Sequence, residues 1–406
     1  MNLKFTVLIA ATFCSILPPM IAAEGPSPHF AVPNFTLNGG FPNWKNCRAK
    51  VIANSSGCNV LVIGESSSTG HGSFFHENAN DARSGAWPNQ LAALLRMSGI
   101  NAQANSVTGD NNIAPYMAFD TRVTINNWKA YPGVFVLGGS AWTSTDTSAF
   151  TFNPADTASY PRAAPVRTDT LDVYWIGQTS ARGGTLTVDT GGSPICTINT
   201  AMPFQLTKTT CSTSLAANTY NLRCQNANCA FTTIVARNSR INEVTILNAA
   251  ADGVPISKFS SNSGLPWGPL TSIATYSPAL CIIDDIGNDA GQQTPISSYT
   301  AFLTAIVTAC KSSGADVLLT TGLPYGGNSS PITVEQYQAA VMAVAAATNV
   351  PVWDSLTTYG GTSAGWTASM PAGWNAGCCG GGADIAHWSI ASNVYEAAMI
   401  SLMLLQ

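Results

Sequence analysis

The sequence predicts an α/β fold with a parallel sheet, interrupted by an inserted antiparallel β-sandwich. In the segments 47–115 and 241–406, short apolar runs alternate with longer segments whose apolar residues recur at helical spacing. Strands that alternate with helices form parallel sheets covered by helices. Between about Tyr116 and Arg240, short alternating runs are separated by Gly-rich and Asn-rich turns, which is typical of antiparallel strands. The length of 406 residues allows about two domains.

The N-terminal segment is expected to precede both domains. Lys4 gives a short basic start, Phe5–Ile16 an apolar stretch and Ile21–Ala23 a small-residue exit. This order predicts a cleavable secretory signal over residues 1–23 and an extracellular or periplasmic protein. Residues 24–46, rich in Pro and Asn, are expected to form an extended lead-in on the surface. No later segment offers the roughly 20 uninterrupted apolar residues that a membrane span needs.

The elements of the predicted domains follow from apolar spacing. In the α/β part the predicted strands are Asn59–Ile63, Glu243–Leu247, Ala279–Ile283, Asp316–Thr321 and Val350–Asp354. The predicted helices are Trp87–Met97, Tyr299–Cys310, Val334–Thr348 and Ile390–Leu405. In the insertion, 116–240, the predicted strands include Leu171–Ile176, Thr185–Asp189 and Phe231–Val235.

The cysteines indicate disulfides. Without Cys14, which belongs to the predicted signal, ten of the eleven cysteines remain, an even number that favours disulfides in an exported protein. Pairing of neighbours closes short loops and predicts the bonds Cys47–Cys58, Cys196–Cys211 and Cys224–Cys229. Cys281 and Cys310 are either bonded or ordinary buried thiols, and a bond between Cys378 and Cys379 would be a strained vicinal bridge. No C-x-x-C pair suggests a metal site.

Composition limits the partners of the protein. Only 9% of the residues are charged, and the net charge is −4. A surface of this kind offers no basic patch for nucleic acid or for anionic lipid. A neutral partner, such as a small acyl ester or an acylated carbohydrate, fits better. The sequence leaves the oligomeric state open.

The segment Gly64–Gly70, with the sequence Gly-Glu-Ser-Ser-Ser-Thr-Gly, directly follows the first predicted strand. A serine on a glycine-flanked turn after a buried strand is a frequent position for a hydrolase nucleophile. The same residues are common in any surface turn, so the segment alone leaves both interpretations open.

Two further motifs supply the groups that such a serine would need. Asp384 precedes His387 by three residues, a spacing at which the carboxylate can orient the imidazole that takes the serine proton; a helix-capping aspartate would have the same spacing. Asn288 follows the strand Ala279–Ile283 and can direct its amide at an oxyanion, although Gly-Asn-Asp is also a simple turn sequence. A G-x-S-x-G elbow is missing because Ser68 occupies the place of its last glycine.

Together these motifs resemble the SGNH hydrolases, also called GDSL-type esterases. Gly64-Glu65-Ser66 is similar to the first block of that family, Asn288-Asp289 to the third and Asp384-x-x-His387 to the last. The resemblance implies a flavodoxin-like three-layer α/β/α fold. It implies Ser66 as the nucleophile, His387 as general base and acid, Asp384 as its orienting carboxylate and Asn288 as an oxyanion-hole donor. No metal or organic cofactor is required.

The chain departs from the family pattern at two positions, and one motif is ambiguous. Glu65 replaces the usual aspartate, and Ile286 stands where the glycine of Gly-x-Asn-Asp would fall. Gly253, after the strand Glu243–Leu247, is the favoured oxyanion-hole glycine, with Gly109 as its rival. His71 and His76 are expected to be solvated loop residues rather than pocket residues. Trp87, Trp267, Trp353 and Trp388 are candidates for stacking on sugar rings, although at least two of them are expected in the core.

The predicted function is that of an exported serine esterase. It would hydrolyse acetyl or other short-chain acyl esters, with O-acetyl groups on a carbohydrate as the favoured substrate, through a Ser-His-Asp triad and an acyl-enzyme. Inserted β-sandwiches occur within the family in enzymes that deacylate polysaccharides. The alternatives are a lipase or thioesterase with the same triad, and a non-catalytic glycan-binding protein.

Overall fold

A computed structural model describes residues 35–71, 82–110, 120–156, 164–179, 181–261, 264–323, 332–361, 375–378 and 382–406. All of them belong to one compact unit, Val32–Gln406. The predicted signal, 1–23, and the lead-in up to residue 34 lie outside the described residues. No helix of the described ranges is long and apolar enough to cross a membrane.

The helices and strands are numbered in chain order over the described residues. The helices are α1 (Pro42–Ile52), α2 (Ser66–Thr69), α3 (Ala82–Gly85), α4 (Trp87–Met97), α5 (Ile256–Phe259), α6 (Pro269–Tyr276), α7 (Gly287–Gln292), α8 (Ile296–Ser312), α9 (Val334–Thr348), α10 (Ser355–Thr358) and α11 (Ile390–Leu405). The strands are β1 (Phe35–Thr36), β2 (Cys58–Gly64), β3 (Ala102–Gln103), β4 (Ser106–Thr108), β5 (Val123–Ile125), β6 (Lys129–Val136), β7 (Gly139–Ser144), β8 (Phe150–Phe152), β9 (Ala155–Asp156), β10 (Ala164–Pro165), β11 (Thr168–Ile176), β12 (Thr185–Asp189), β13 (Pro194–Asn199), β14 (Leu206–Ala216), β15 (Tyr220–Gln225), β16 (Cys229–Arg237), β17 (Val244–Asn248), β18 (Pro278–Asp284), β19 (Asp316–Thr320), β20 (Val352–Trp353), β21 (Asn375–Cys378) and β22 (Gly382–Trp388).

A seven-stranded sheet with the order β1-β20-β19-β18-β2-β17-β3 forms the centre of the α/β part. All neighbouring strands pair in parallel except the edge strand β1, which is antiparallel to β20. The inner strands β2, β18 and β19 are apolar and buried along most of their length, as expected for a sheet covered on both faces. The predicted α/β class is therefore confirmed. Because the strands are parallel, the carboxyl ends of β2, β17 and β18 lie together at one edge.

Helical spacing predicted the longer helices well. Helix α4 begins at Trp87 and ends at Met97, as predicted, and it buries Trp87, Leu91, Leu94 and Leu95. Helix α11 also has its predicted bounds, and it packs against α4. Helix α4 places its apolar residues against the core. Helix α11 buries polar residues as well as apolar ones, among them Asn393 and Glu396.

Two antiparallel sheets lie between the first and second halves of the α/β part in sequence. One has the order β14-β11-β16-β7-β6, with β4 also paired to β16, and the other has the order β13-β12-β15-β8-β5. A single hydrophobic cluster contains residues of both, among them Trp142 and Phe231 of the first sheet and Phe150 and Leu186 of the second. The chain leaves the parallel sheet after Gln103 and enters the antiparallel one at Ser106.

The larger antiparallel sheet also shares a core with the α/β part. A second cluster joins residues of β11 and β16 with residues of β2 and β18. Tyr276 at the end of α6 contacts Tyr174 with a ring-centroid distance of 4.8 Å, and its hydroxyl bonds to the hydroxyls of Thr232 and Thr233 at 2.9 Å and 3.0 Å. The antiparallel sheet that contains β11 and β16 is therefore packed against the α/β part.

The lead-in, 24–46, differs from the expected extended segment where the structure describes it. Helix α1 begins at Pro42, because proline fits the first helical position, and it buries Trp44, Cys47 and Val51. The Trp44 amide donates to Asp316 Oδ2 at 2.8 Å, and its indole donates to the carbonyl of Leu404 at 2.8 Å. The high Pro and Asn content of this segment gave no indication of a short helix with a buried face.

The predicted pairing of neighbouring cysteines is confirmed. Disulfides join Cys47 to Cys58, Cys196 to Cys211 and Cys224 to Cys229, and a fourth bond joins Cys281 of β18 to Cys310 of α8. The second and third bonds each link the five-stranded antiparallel sheet to the six-stranded one, because β13 and β15 belong to the former and β14 and β16 to the latter. Cys379 and the side chain of Cys378 lie outside the described part of the chain.

Candidate active site

Ser66 is the first residue of the short helix α2, two residues beyond the end of β2. Its neighbours in the serine run have other surroundings. Ser68 is fully buried, donates from Oγ to Asp284 Oδ2 at 2.6 Å and accepts from Trp87 Nε1 at 2.9 Å. Ser67 is 1% exposed. Ser66 is 6% exposed and is the serine of the run that contacts a histidine.

His387 lies next to Ser66 although 321 residues separate them in sequence. Its Nε2 is 2.9 Å from Ser66 Oγ, a distance at which a neutral imidazole accepts the hydroxyl proton. His387 belongs to β22, just before α11, which fixes its backbone. Asp384 lies in the same strand, but its side chain is outside the described ones, so its contact with His387 stays a prediction.

Asn288 is half-buried in the first turn of α7, at the end of the sheet that carries Ser66. Its Nδ2 donates to the carbonyl of Val254 at 3.3 Å. An amide group has two N–H bonds, so this contact leaves one for another acceptor. The hydrogen bond also ties Asn288 to the loop that contains Gly253.

The two rival glycines have different surroundings. The loop after β17 continues along β2, with the amides of Ala249 and Ala251 donating to Val62 and Gly64 at 2.9 Å each. It ends at Gly253, which is exposed, has a φ of +69° and donates its amide to no described residue. The Gly109 amide instead donates to the carbonyl of Thr232 at 2.7 Å within the antiparallel sheet. An oxyanion donor needs an available N–H, so this geometry favours Gly253.

One of the two departures from the family pattern, Glu65, contacts the helix that carries Asn288. Glu65 Oε2 accepts from the backbone amide of Asn288 at 2.7 Å, so the carboxyl holds the first turn of α7. A Cβ atom on Gly287 would lie 2.5 Å from Glu65 Oε1. The glutamate, one methylene longer than aspartate, fits because residue 287 has no side chain. Ile286 is fully buried and precedes the helix.

Several carboxyl groups are buried beneath this turn. Burial and, to a smaller extent, the nearby Asp284 carboxyl raise the pKa of Glu65 to about 8. Burial also raises the pKa of Asp284 and Asp289. Near neutral pH Glu65 is therefore mostly protonated. A neutral carboxyl here does not repel an anion that forms close to Ser66 and Asn288.

Sequence analysis missed a histidine–aspartate pair beside Ser66. His71 Nδ1 is 2.6 Å from Asp252 Oδ2, and the His71 ring stacks on His387 with a centroid distance of 4.0 Å and an interplanar angle of 9°. The expectation that His71 is a solvated loop residue is wrong, because its side chain is only 10% exposed. Two weak indications of this pair were present in the sequence: His71 lies five residues after Ser66, and Asp252 directly precedes Gly253. His76 lies outside the described residues.

The four tryptophans proposed for sugar stacking are buried. Trp87, Trp353 and Trp388 have no exposed surface, and Trp267 is 7% exposed. Their indole faces contribute to the core, and this corrects the suggestion that some of them line a glycan surface. In the described part of the chain, one group of side chains, His71, Asp252 and His387, brings three ligand atoms within 4.8 Å of one another, as a metal site would.

A cavity of about 210 Å³ lies away from these residues. It is bordered by Arg96 of α4, Glu243 before β17 and Arg237 at the end of β16. Glu243 precedes the first residue of β17, whereas Gly253 follows its last residue. The cavity is therefore at the amino-end edge of the parallel sheet, opposite Ser66.

Comparisons with known proteins identify a shared fold. No family model and no curated protein matches the sequence. Among solved structures, the chain is similar to a peptidoglycan O-acetylesterase, with a TM-score of 0.67 and 16% identity over 89% of this chain and 95% of the other. It is also similar in part to an acetylxylan esterase from Geobacillus stearothermophilus (TM-score 0.31, 18% identity, 40% of this chain, 73% of the other) and to TesA (TM-score 0.29, 20% identity, 41% and 81%). The first likeness shows that the chain has the fold of that esterase; the other two add no argument.

Proposed function

We propose that this protein is an SGNH-type serine esterase that removes acetyl or other short acyl groups, in particular O-acetyl groups on a carbohydrate. The observation that carries the proposal is the 2.9 Å contact between Ser66 Oγ and His387 Nε2. The fold shared with a peptidoglycan O-acetylesterase supports the same reading. The low charge of the chain fits an uncharged, acetylated polymer as substrate.

The proposed mechanism forms and hydrolyses an acyl-enzyme. His387 accepts the Ser66 proton while Ser66 Oγ attacks the ester carbonyl, and it then gives that proton to the leaving alcohol. Asp384 orients the imidazole and stabilises its charged form. A water molecule activated by His387 afterwards attacks the acyl-serine and releases the acid.

The oxyanion of each tetrahedral intermediate is proposed to bind at three N–H donors: the amides of Ser66 and Gly253 and the Asn288 side chain. Donors of this kind are typically worth about 100- to 1,000-fold each in kcat. The protonated Glu65 supports them, because it holds the Asn288 backbone without adding a negative charge.

The proposal extends to architecture and compartment. We propose that 47–115 and 241–406 form a flavodoxin-like three-layer α/β/α domain and that 116–240 form an inserted β-sandwich domain. We also propose that residues 1–23 are removed during export. The four disulfides support an oxidising compartment.

Substitution of Ser66 tests the proposed function. Ser66→Ala should lower the hydrolysis of a simple acetyl ester at least about 1,000-fold and abolish labelling by a fluorophosphonate probe. Ser67→Ala is the matched control and should keep both, because Ser67 Oγ makes no hydrogen bond to a described residue. Full activity of Ser66→Ala would refute the proposal.

A series of acyl esters tests the substrate class. The rate should fall steeply from acetyl to octanoyl esters if the site is built for short acyl groups. A rate that rises with chain length would identify a lipase or thioesterase. Binding of an acetylated glycan without any hydrolysis would identify a glycan-binding protein.

A further inference from the structure

We propose that His71 and Asp252 form a second imidazole–carboxylate pair that holds His387 and the Gly253 loop in their reactive arrangement. This role rests on the proposed esterase function. His71 is a positioning residue here: it acts through His387 and Gly253 rather than on the substrate.

Stacking fixes one face of the His387 ring. The two rings are nearly parallel and 4.0 Å apart, so rotation of the His387 ring about its Cβ–Cγ bond would drive its edge into His71. The His71 side chain is 10% exposed, which keeps bulk water from this face. The contact thus restrains Nε2 to the side on which Ser66 lies, and orientation of a general base is worth large factors in rate.

The hydrogen bond to Asp252 connects the ring to the oxyanion loop. A carboxylate accepts, so at 2.6 Å the proton of His71 resides on Nδ1. Asp252 directly precedes Gly253, and the His71 backbone amide donates to the carbonyl of Ser66 at 3.0 Å. One residue therefore joins the serine turn, the base and the loop whose amide would bind the oxyanion, three segments that are far apart in sequence.

A metal site in the same group is the competing interpretation, and the geometry disfavours it. Ring nitrogens bind metals through lone pairs that lie in the ring plane, and several ligands must converge on one point. The rings of His71 and His387 are within 9° of parallel, so their lone pairs lie in nearly parallel planes rather than pointing at one common position. His71 Nδ1 is already directed at Asp252, and His387 Nε2 at Ser66.

Three substitutions separate the two contacts of His71. His71→Ala removes both the stacking and the hydrogen bond, His71→Phe keeps a flat ring, and Asp252→Asn keeps the stacking. We expect kcat on a simple acetyl ester to fall about 100-fold in His71→Ala and about 10-fold in each of the other two, with KM within about threefold of wild type. Active-site titration with the fluorophosphonate probe separates a lower kcat from a smaller fraction of folded protein.

Asp189→Asn is the matched control for Asp252→Asn. Asp189 pairs with Arg223 in the antiparallel sheet, and its side chain is similarly buried, with 8% exposure against 13% for Asp252. This variant should keep kcat within about twofold, and its thermal midpoint should fall as much as that of Asp252→Asn. If all three site variants keep wild-type kcat while Ser66→Ala is inactive, the positioning role is refuted and the esterase stands. An active Ser66→Ala would refute the esterase itself.

Two measurements on the wild-type protein complete the test. Selective ¹⁵N-histidine labelling should reveal two strongly low-field protons on histidine Nδ1 atoms, one from the proposed contact of His387 with Asp384 and a second from the 2.6 Å contact of His71 with Asp252. Absence of the second resonance refutes the pair even if the variants do not fold. Dialysis against a chelator should leave kcat unchanged. Loss of activity that Zn²⁺ restores would overturn the positioning role in favour of a metal site.

Discussion

At the scale of single residues, the protonation of Glu65 links the candidate site to pH. Its carboxyl keeps a proton in the folded protein up to about pH 8, whereas in the unfolded chain it ionises above its ordinary pKa of 4.5. The folded state therefore binds more protons in this window. The free energy of unfolding has to fall as the pH rises from about 4.5 to about 8.

Glu65→Gln should remove this part of the pH dependence, because glutamine is neutral at every pH and still offers an acceptor to the Asn288 amide. Between about pH 5 and about pH 8, the variant should lose about 3–4 kcal/mol less of its unfolding free energy than wild type. Urea unfolding at several pH values measures the difference. Glu335→Gln on α9 is the control and should follow the wild-type curve; two superimposed curves for wild type and Glu65→Gln would contradict the prediction.

Single residues also mark the limit of sequence analysis at this site. Ser66, His387 and Asn288 belong to motifs that a sequence displays, and the structure brings them to one edge of the sheet. His71 and Asp252 belong to no such motif, because their significance lies in a contact across 181 residues. At least two of the four tryptophans were expected in the core, and the structure buries all four. The sequence did not separate them, because an aromatic side chain has the same sequence pattern whether it covers a sugar or fills a core.

At the scale of elements, helix α7 depends on the fit between its first residue and the serine turn. Gly287→Ala should push the Glu65 carboxyl away from the Asn288 amide, because the added Cβ overlaps Glu65 Oε1. We expect a loss of about 1–3 kcal/mol in unfolding free energy and a lower kcat. The double variant Glu65→Asp/Gly287→Ala should lose less than the sum of its single changes, since the shorter acid leaves room.

A glycine with open surroundings controls for the backbone effect. At Gly192 an added Cβ meets nothing within 4 Å, so Gly192→Ala should change the unfolding free energy by no more than about 0.5 kcal/mol. Strict additivity of the Glu65 and Gly287 changes would show that the two positions are not complementary.

Three long helices were predicted to the residue, Trp87–Met97, Val334–Thr348 and Ile390–Leu405. The prediction Tyr299–Cys310 was shorter than the observed helix Ile296–Ser312. Trp87–Met97 and Ile390–Leu405 repeat their apolar pattern over several turns, which leaves little freedom in their bounds. Helix α1 begins inside a Pro-rich segment, and helix α7 occupies a sequence of turn residues. Both are held by tertiary contacts, α1 by Asp316 and Leu404 and α7 by Glu65, which no local pattern contains.

At the scale of the whole molecule, two of the disulfides connect the two antiparallel sheets. Cys196→Ser/Cys211→Ser should lower the unfolding free energy by about 3 kcal/mol, because the bond closes a loop of 15 residues. The bond between Cys224 and Cys229 closes a loop of only five residues. Its removal in Cys224→Ser/Cys229→Ser should therefore lower the unfolding free energy by about 1 kcal/mol less than removal of the Cys196–Cys211 bond. In both double variants, the rate of fluorophosphonate labelling should stay within about twofold of the wild-type rate. Slow labelling of a variant that is still folded would mean that the insertion shapes the site.

The contact of Trp44 with Leu404 has a consequence for biosynthesis. The carbonyl of Leu404, near the end of α11, accepts from the Trp44 indole and from Arg48 Nη1 at 2.7 Å, so two side chains of the first described helix cap the last one. A ribosome makes these partners about 360 residues apart. At synthesis rates of about 5–20 residues per second, α1 waits on the order of 20–70 s for its acceptor. Helix α1 therefore lacks the Leu404 acceptor of its Trp44 indole until α11 has been synthesised.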